Sequence, residues 1–497
     1  MGRRAFSPRG RSMTLPRALL ALGVAVAGTA AGRTQDTKQP AAPAKVSFYK
    51  DVRPVLAQNC NGCHQPAKAQ GGYVMTTHAD LFKAGERGKA GVVAGNADKS
   101  YLLELVRGHN GKAEMPKNRE PLAAPQVKLI ADWIAQGATD DTPASAKEAV
   151  IDMAHPPSYA AAPVVTSLAY DPQGDYLAVS GFHEVLLYGA KDYKLSSRLV
   201  GISERINALA FSPNGERLAV AGGAPGRFGE VQVWNHKRDD LVVSAPVTFD
   251  TVYGVSWSPD GKSVAFGCID NTVRAIDPST GKQTLQMGTH TDWVLGTVFS
   301  QDGLHLVSVS RDMSMRLTEV PTQRFVDNVT SITPGGLRGG LMAVDRRPTK
   351  DKKMQKVPED TPGVPPKVYD ELVIGGADGA PRLYKMHREV KRQIGDDANK
   401  VREFEKMPGR ISGLAFNADG KYFAAASSLD GKGDVRVYET DTGKKVDCEG
   451  VTGPAYATAW HPDGKTIASA GFDGTVWLHD PATGKLRSSF VARPNTK

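Results

Sequence analysis

The chain has 497 residues, 40% hydrophobic and 23% charged, a balance that excludes a disordered or fibrous protein and, at roughly 150 residues per domain, predicts two to four folded units. Its 52 glycines and 32 prolines follow no collagen period, so they predict many tight turns and favour β structure. The net charge of +9 does not mark a nucleic-acid binder: residues 1–32 hold Arg3, Arg4, Arg9, Arg11 and Arg17 with no acid, and removing them leaves +4.

Residues 1–32 read as a secretory signal, with a basic start, an apolar run at 18–27 and small residues at 28–32 where a peptidase can cut. The apolar run is too short to span a bilayer. The expectation is therefore export across the inner membrane to the periplasm, with no transmembrane span after signal removal. Residues 33–45, rich in Thr, Gln, Pro, Ala and Lys, read as a flexible linker.

Cys60-Asn61-Gly62-Cys63-His64 is a C-x-x-C-H pattern. Two thiols three positions apart can add to the two vinyl groups of one haem, and the adjacent imidazole then lies under the iron as proximal ligand. A thioredoxin-like pair requires a βαβ context and no following histidine, and a zinc site requires a second ligand pair. Neither context is present, since Cys268 and Cys448 stand alone. Candidates for the sixth iron ligand are Met75, His78, His109 and Met115. Met115 leads, because Lys112-Ala113-Glu114-Met115-Pro116 gives its thioether no core to fill; Met75 reads as a packing residue and His78 and His109 as solvated surface histidines. An open sixth position would instead mean gas binding or peroxidase chemistry. Around the motif, Asp51 is expected to cap a helix with Pro54 in its first turn. Pro125 opens another helix, with Val127, Ile130, Ala131 and Ile134 on one face and Gly137 at its end. Trp133 packs towards the haem or into the core.

Residues 48–140 resemble the planctomycete-type cytochrome c family. The resemblance rests on Phe48-Tyr49-Lys50-Asp51-Val52-Arg53-Pro54-Val55-Leu56 before the motif, Gly71-Gly72, Gly95-Asn96-Ala97-Asp98-Lys99-Ser100-Tyr101-Leu102, Met115-Pro116 and Trp133-Ile134-Ala135-Gln136-Gly137-Ala138. It implies one covalent haem c on Cys60 and Cys63, with His64 and Met115 axial, in a domain spanning 46–140. The family often has a bulkier and more polar motif interior than Asn61-Gly62.

After a linker at 141–162 the sequence repeats. Turns closing at Gly174, Gly215, Gly261, Gly303, Gly420 and Gly464 are 41, 46, 42, 117 and 44 residues apart, and the long gap hides one more repeat at 337–384 plus an insertion. A period of 40 to 46 with four strands per unit is that of a WD-repeat propeller. The signature is degenerate: Trp234-Asn235, Ile276-Asp277, Tyr438-Glu439 and His479-Asp480 stand where Trp-Asp would end a blade, and His290 with Asp312 resembles the His and turn-Asp pair of a full repeat. The expected fold is thus multidomain, a small all-α cytochrome c-like domain followed by an all-β seven-bladed WD-repeat propeller at 163–493. The basic, Pro-rich insertion at 346–367 reads as a solvated loop or a docking arm for an acidic partner. Cys268 and Cys448 read as separate, inert thiols. Ring closure is left open, because residues 486–491 already supply the last fourth strand and 151–162 may add to it.

Three functional readings follow. The leading one is a secreted electron carrier with one His/Met-ligated haem, whose propeller binds a protein partner while the haem meets a redox partner. The others are a propeller oxidoreductase with the haem as relay, and a scaffold with a haem sensor. No catalytic residue is assigned, and neither a second cofactor nor a nucleic-acid partner is expected.

Overall fold

The computed structural model describes residues 45–65, 68–107, 113–117, 119–144, 151–331, 337–348, 370–391, 393 and 395–494. The expected signal at 1–32, His109 and most of the basic insertion lie outside the described residues.

The helical part begins with a reciprocal cap. Lys50 N donates to Ser47 Oγ and Ser47 N donates to Asp51 Oδ2, both at 2.9 Å. A π-helical turn, Phe48–Val52, then leads into α1, Arg53–Asn59, with Pro54 in its first turn. The expected cap, Asp51, is thus corrected to Ser47: the helical path starts early enough to bury both Phe48 and Val52, and Asp51 closes the cap from inside. Two further helices follow, α2 at Tyr101–Arg107 and α3 at Ala124–Ala135, the latter with Pro125 in its first turn and Gly137 behind it at φ +98. Their apolar faces meet around Val52, Leu56, Leu81, Leu103, Ile130 and Trp133. Each such fully buried aliphatic side chain contributes about 1.5–3 kcal/mol. The Trp133 ring stacks on Phe48 at 5.3 Å, and its Nε1 donates to Thr139 O at 3.2 Å.

The rest of the described chain is antiparallel sheet, in five four-stranded sheets and one of seven strands. In the larger sheet one long strand, Leu195–Phe211, is shared: its first half pairs with Phe182–Gly189 as the outer strand of blade 1, and its second half pairs with Leu218–Ala224 as the inner strand of blade 2. The count is therefore seven four-stranded blades, the layout of a seven-bladed propeller. Tight turns close the inner hairpins, and Gly215 and Gly261, at φ +68 and +69, occupy a backbone region that other residues reach only under strain.

Blade 7 keeps its own outer strand, Leu486–Val491, so no strand is exchanged when the ring closes. Instead Val165 N donates to Gly471 O at 2.9 Å, and one apolar cluster runs from Leu168, Val179 and Leu186 in blade 1 to Ala459, Ala470 and Leu478 in blade 7. The segment 151–162 does not extend blade 7. Tyr159 OH donates to Glu184 Oε1 at 2.6 Å, and Arg198 grips the same carboxylate through Nε and Nη2 at 2.6 and 2.7 Å while donating to Pro157 O. Glu184 is fully buried and takes these partners because an unpaired carboxylate there would be costly.

Three sequence details find their places. His290 joins Asp312 Oδ2 through Nδ1 at 3.0 Å and Ser308 Oγ through Nε2 at 2.8 Å. Hydrogen bonds from His290, Ser314 and Thr291 hold the Asp312 carboxyl well below the usual carboxylate range, against the opposing effect of burial. At the insertion, Arg346 ends an inner strand and pairs with Asp370, while Arg347 pairs with Glu371 at 2.7 Å and Asp441 at 2.9 Å. These two arginines are therefore paired with carboxylates of blades 5 and 6. Cys268 lies in blade 3 and Cys448 in blade 6, both free, with burial pushing each thiol up to about 12.

Candidate haem-attachment site

α1 delivers Cys60, whose N–H still bonds Leu56 O, and the chain then folds back so that Cys63 N and His64 N both donate to Cys60 O, at 3.0 and 3.1 Å. This tight loop puts both thiols and the imidazole on one turn. His64 opens a two-residue hairpin, His64–Gln65 paired with Lys68–Ala69, and Met75 N donates to His64 O at 2.8 Å. The His64 ring is fixed by Nδ1, 3.0 Å from Tyr73 O. Facing a carbonyl, Nδ1 must carry the proton, so Nε2 keeps its lone pair for a metal. Tyr73 is itself held, its OH donating to Leu81 O at 2.7 Å. Burial lowers the His64 pKa, which favours the neutral ring that a metal needs.

Burial also pushes the half-buried Cys60 thiol up to about 12, with the neighbouring Cys63 adding to the shift. A redox-active thiol pair lowers the pKa of its attacking cysteine, the opposite direction from the shift at Cys60. Met115, expected to have no core to fill, packs with Cys60 against the helical core, the apolar surface that one face of a haem requires. Met115 N is held by Leu105 O at 3.2 Å. Met75 is core, as expected, at 4% exposure. His78 is not the solvated histidine expected: its Nε2 bonds Ala138 O at 2.8 Å, and its ring packs on Phe48 and Phe82. The donor set fits a c-type haem: two free thiols, one oriented imidazole nitrogen and a thioether beside an apolar wall. A separate open cleft of about 530 Å³, between Val106, Leu122, Val127 and Ala131, is lined by none of these four residues.

One feature escapes the sequence. The loop between the two cysteines rests on blade 2. Gly62 is buried, and a Cβ there would lie 2.4 Å from Ser244 O and 2.8 Å from Pro246 Cδ. Lys68 Nζ donates to Val242 O, and Arg119 Nη2 donates to Pro246 O at 3.3 Å. Glycine between the cysteines was the available signal, but it does not name its neighbour.

Comparison with known proteins agrees with both halves. Planctomycete cytochrome C matches residues 60–119, and the WD domain, G-beta repeat, matches 243–277, 281–318 and 446–480. Among curated relatives, the chain is 30% identical over 171 residues to chromatin assembly factor 1 subunit FAS2 homolog of Oryza sativa subsp. japonica, covering 31% of this chain and 33% of that one. It is 23% identical over 333 residues to periodic tryptophan protein 2 of Arabidopsis thaliana, covering 66% of this chain and 33% of that one. It is 24% identical over 336 residues to periodic tryptophan protein 2 homolog of Mus musculus, covering 67% of this chain and 32% of that one. The chain thus spans about a third of the length of these relatives. Among the described residues no helix is long and apolar enough to cross a membrane. The planctomycete cytochrome C match implies a c-type haem, and with the blades it identifies the chain as a planctomycete cytochrome C domain fused to a WD-repeat propeller.

Proposed function

We propose that this protein is an exported single-haem c-type cytochrome that transfers single electrons, with its propeller as a platform for a protein partner. The observation that carries the haem reading is the His64 ring, tied through Nδ1 to Tyr73 O so that the lone pair falls on Nε2, on the same turn as Cys60 and Cys63. The two thiols would form thioethers by adding across the vinyl groups, each thiol hydrogen passing to carbon. His64 and Met115 would be the axial ligands, and a His/Met-ligated haem supplies a one-electron couple with a raised potential. The chain's own residues orient the imidazole through Tyr73 and supply the apolar wall.

One observation supports the propeller as the partner-binding part. Phe249, Trp293, Met313 and Phe472 are exposed on loops that lead into inner strands or join second to third strands, all at one end of the ring, Phe249 at 69% and Phe472 at 59%. We place the partner contact on these loops, where Phe249 and Phe472 are the two most exposed large apolar side chains among the described residues. Basic residues ahead of a short apolar run support export, and fractionation of the expressing cells checks it.

The haem reading is tested by optical spectra of the protein made in a host with cytochrome c maturation, oxidised, reduced, and reduced under carbon monoxide. The expected result is a low-spin haem indifferent to carbon monoxide, whose sulfur-to-iron band is lost in Met115→Ala. A high-spin, carbon monoxide-binding haem in the unmutated protein would overturn the electron-carrier assignment.

A further inference from the structure

We propose that the outer strand of blade 2, Asp240–Thr248, is a built seat for the haem domain, with Gly62 as the residue that determines the fit. The propeller is then an outer wall of the haem-attachment loop and does not trail from it on a tether. What the loop carries rests on the function proposed above; the seat rests on contacts within the chain.

The outer strand of a sheet has one unpaired edge, on which every second carbonyl points outward. Here those carbonyls, at Val242, Ser244 and Pro246, are all met by the haem domain: Lys68 Nζ takes the first, Gly62 packs on the second, and Arg119 takes the third. Pro246 also removes one N–H from an exposed edge, where it could have recruited another strand. The seat is fixed from behind. Ser244 Oγ donates to Glu230 Oε2 at 2.5 Å, and the same buried carboxylate accepts Ser203 Oγ at 2.6 Å and Gln232 Nε2 at 2.5 Å. Three donors converging on a fully buried carboxylate hold Ser244, and with it the carbonyl that faces Gly62.

Gly62 is the discriminating position. Its φ lies outside the left-handed region, so its backbone does not demand glycine. The three nearest atoms to a Cβ at 62 all belong to Ser244 and Pro246, none to the haem domain. A larger residue is therefore rejected by the propeller and not by the haem-domain fold. This accounts for the small motif interior, and it closes the Gly62 side of the loop to any external partner.

The test uses the full chain with haem attached. Gly62→Ala and the double variant Lys68→Ala/Arg119→Ala are compared with the unmutated protein by haem stoichiometry, small-angle scattering and midpoint potential. Both variants are expected to keep one haem and a low-spin spectrum, to show a larger radius of gyration, and to lose potential. The fall is expected because water reaching the undocked loop stabilises the additional charge of ferric iron. Scattering and potential unchanged in both variants would overturn the seat. Absence of haem from the unmutated protein would overturn the function proposed above, while the scattering comparison would still decide the seat.

Discussion

Two aspartates show how residues of one type carry opposite pH dependences. Asp312 is held below its ordinary pKa by His290, Ser314 and Thr291, so its contribution is full above about pH 4, the unfolded carboxylate value, and is lost as pH falls through the lower folded value. Asp345, on the inner strand of blade 5, accepts Phe416 N of blade 6 at 2.7 Å, yet burial pushes it up to about 6. Its contribution is full below about pH 4 and is lost as pH rises through 6. Thermal melts from pH 3 to 8 should therefore show Asp312→Asn flattening the acid limb and Asp345→Asn flattening the fall between pH 4 and 6. A shared sign for the two variants would refute the assignment. Residue types were legible here in unequal measure. His290 and Asp312 stood out as a repeat signature, whereas nothing around Asp345 distinguishes it from a solvated aspartate, because its partner, Phe416 N, belongs to the neighbouring blade.

Elements were read best where period and punctuation agreed. α3 is bounded by Pro125 and Gly137, and the same patterned face that predicts it supplies Ile130 and Ile134 to the core. The start of the first helix was displaced, since Ser47 and Asp51 are both good capping residues and only the burial of Phe48 chooses between them. Trp133 is the keystone of this small core, 1% exposed and stacked on Phe48. Trp133→Ala should cost about 3–5 kcal/mol. In circular dichroism this is expected as loss of the helical signal with the β signal retained; a melt indistinguishable from the parent would show that the core does not depend on this ring.

For the whole molecule, the repeat period was enough to count seven blades, but the manner of closure and the path between the halves were not readable. The segment expected as a free linker is bound over 151–162, where Tyr159 and Arg198 satisfy the buried Glu184. Removing that carboxylate leaves a partly buried guanidinium without its partner, so Glu184→Ala should destabilise by about 3 kcal/mol. Limited proteolysis should then cut within 151–162 faster than in the parent. Equal cutting rates would mean that the segment is held by other contacts.

Chain order alone reveals the C-x-x-C-H motif, the proline and glycine boundaries of α3, the turn spacing and the seven-fold repeat, because each follows from local chemistry or a fixed period along the chain. It takes the folded arrangement to aim His64 through Tyr73 O, to close blades 1 and 7 by packing, and to fit Gly62 against Ser244 and Pro246. In each case the deciding partner is distant in the chain or presents only backbone atoms. A carbonyl on a strand edge is the same for every residue, so no side chain announces it.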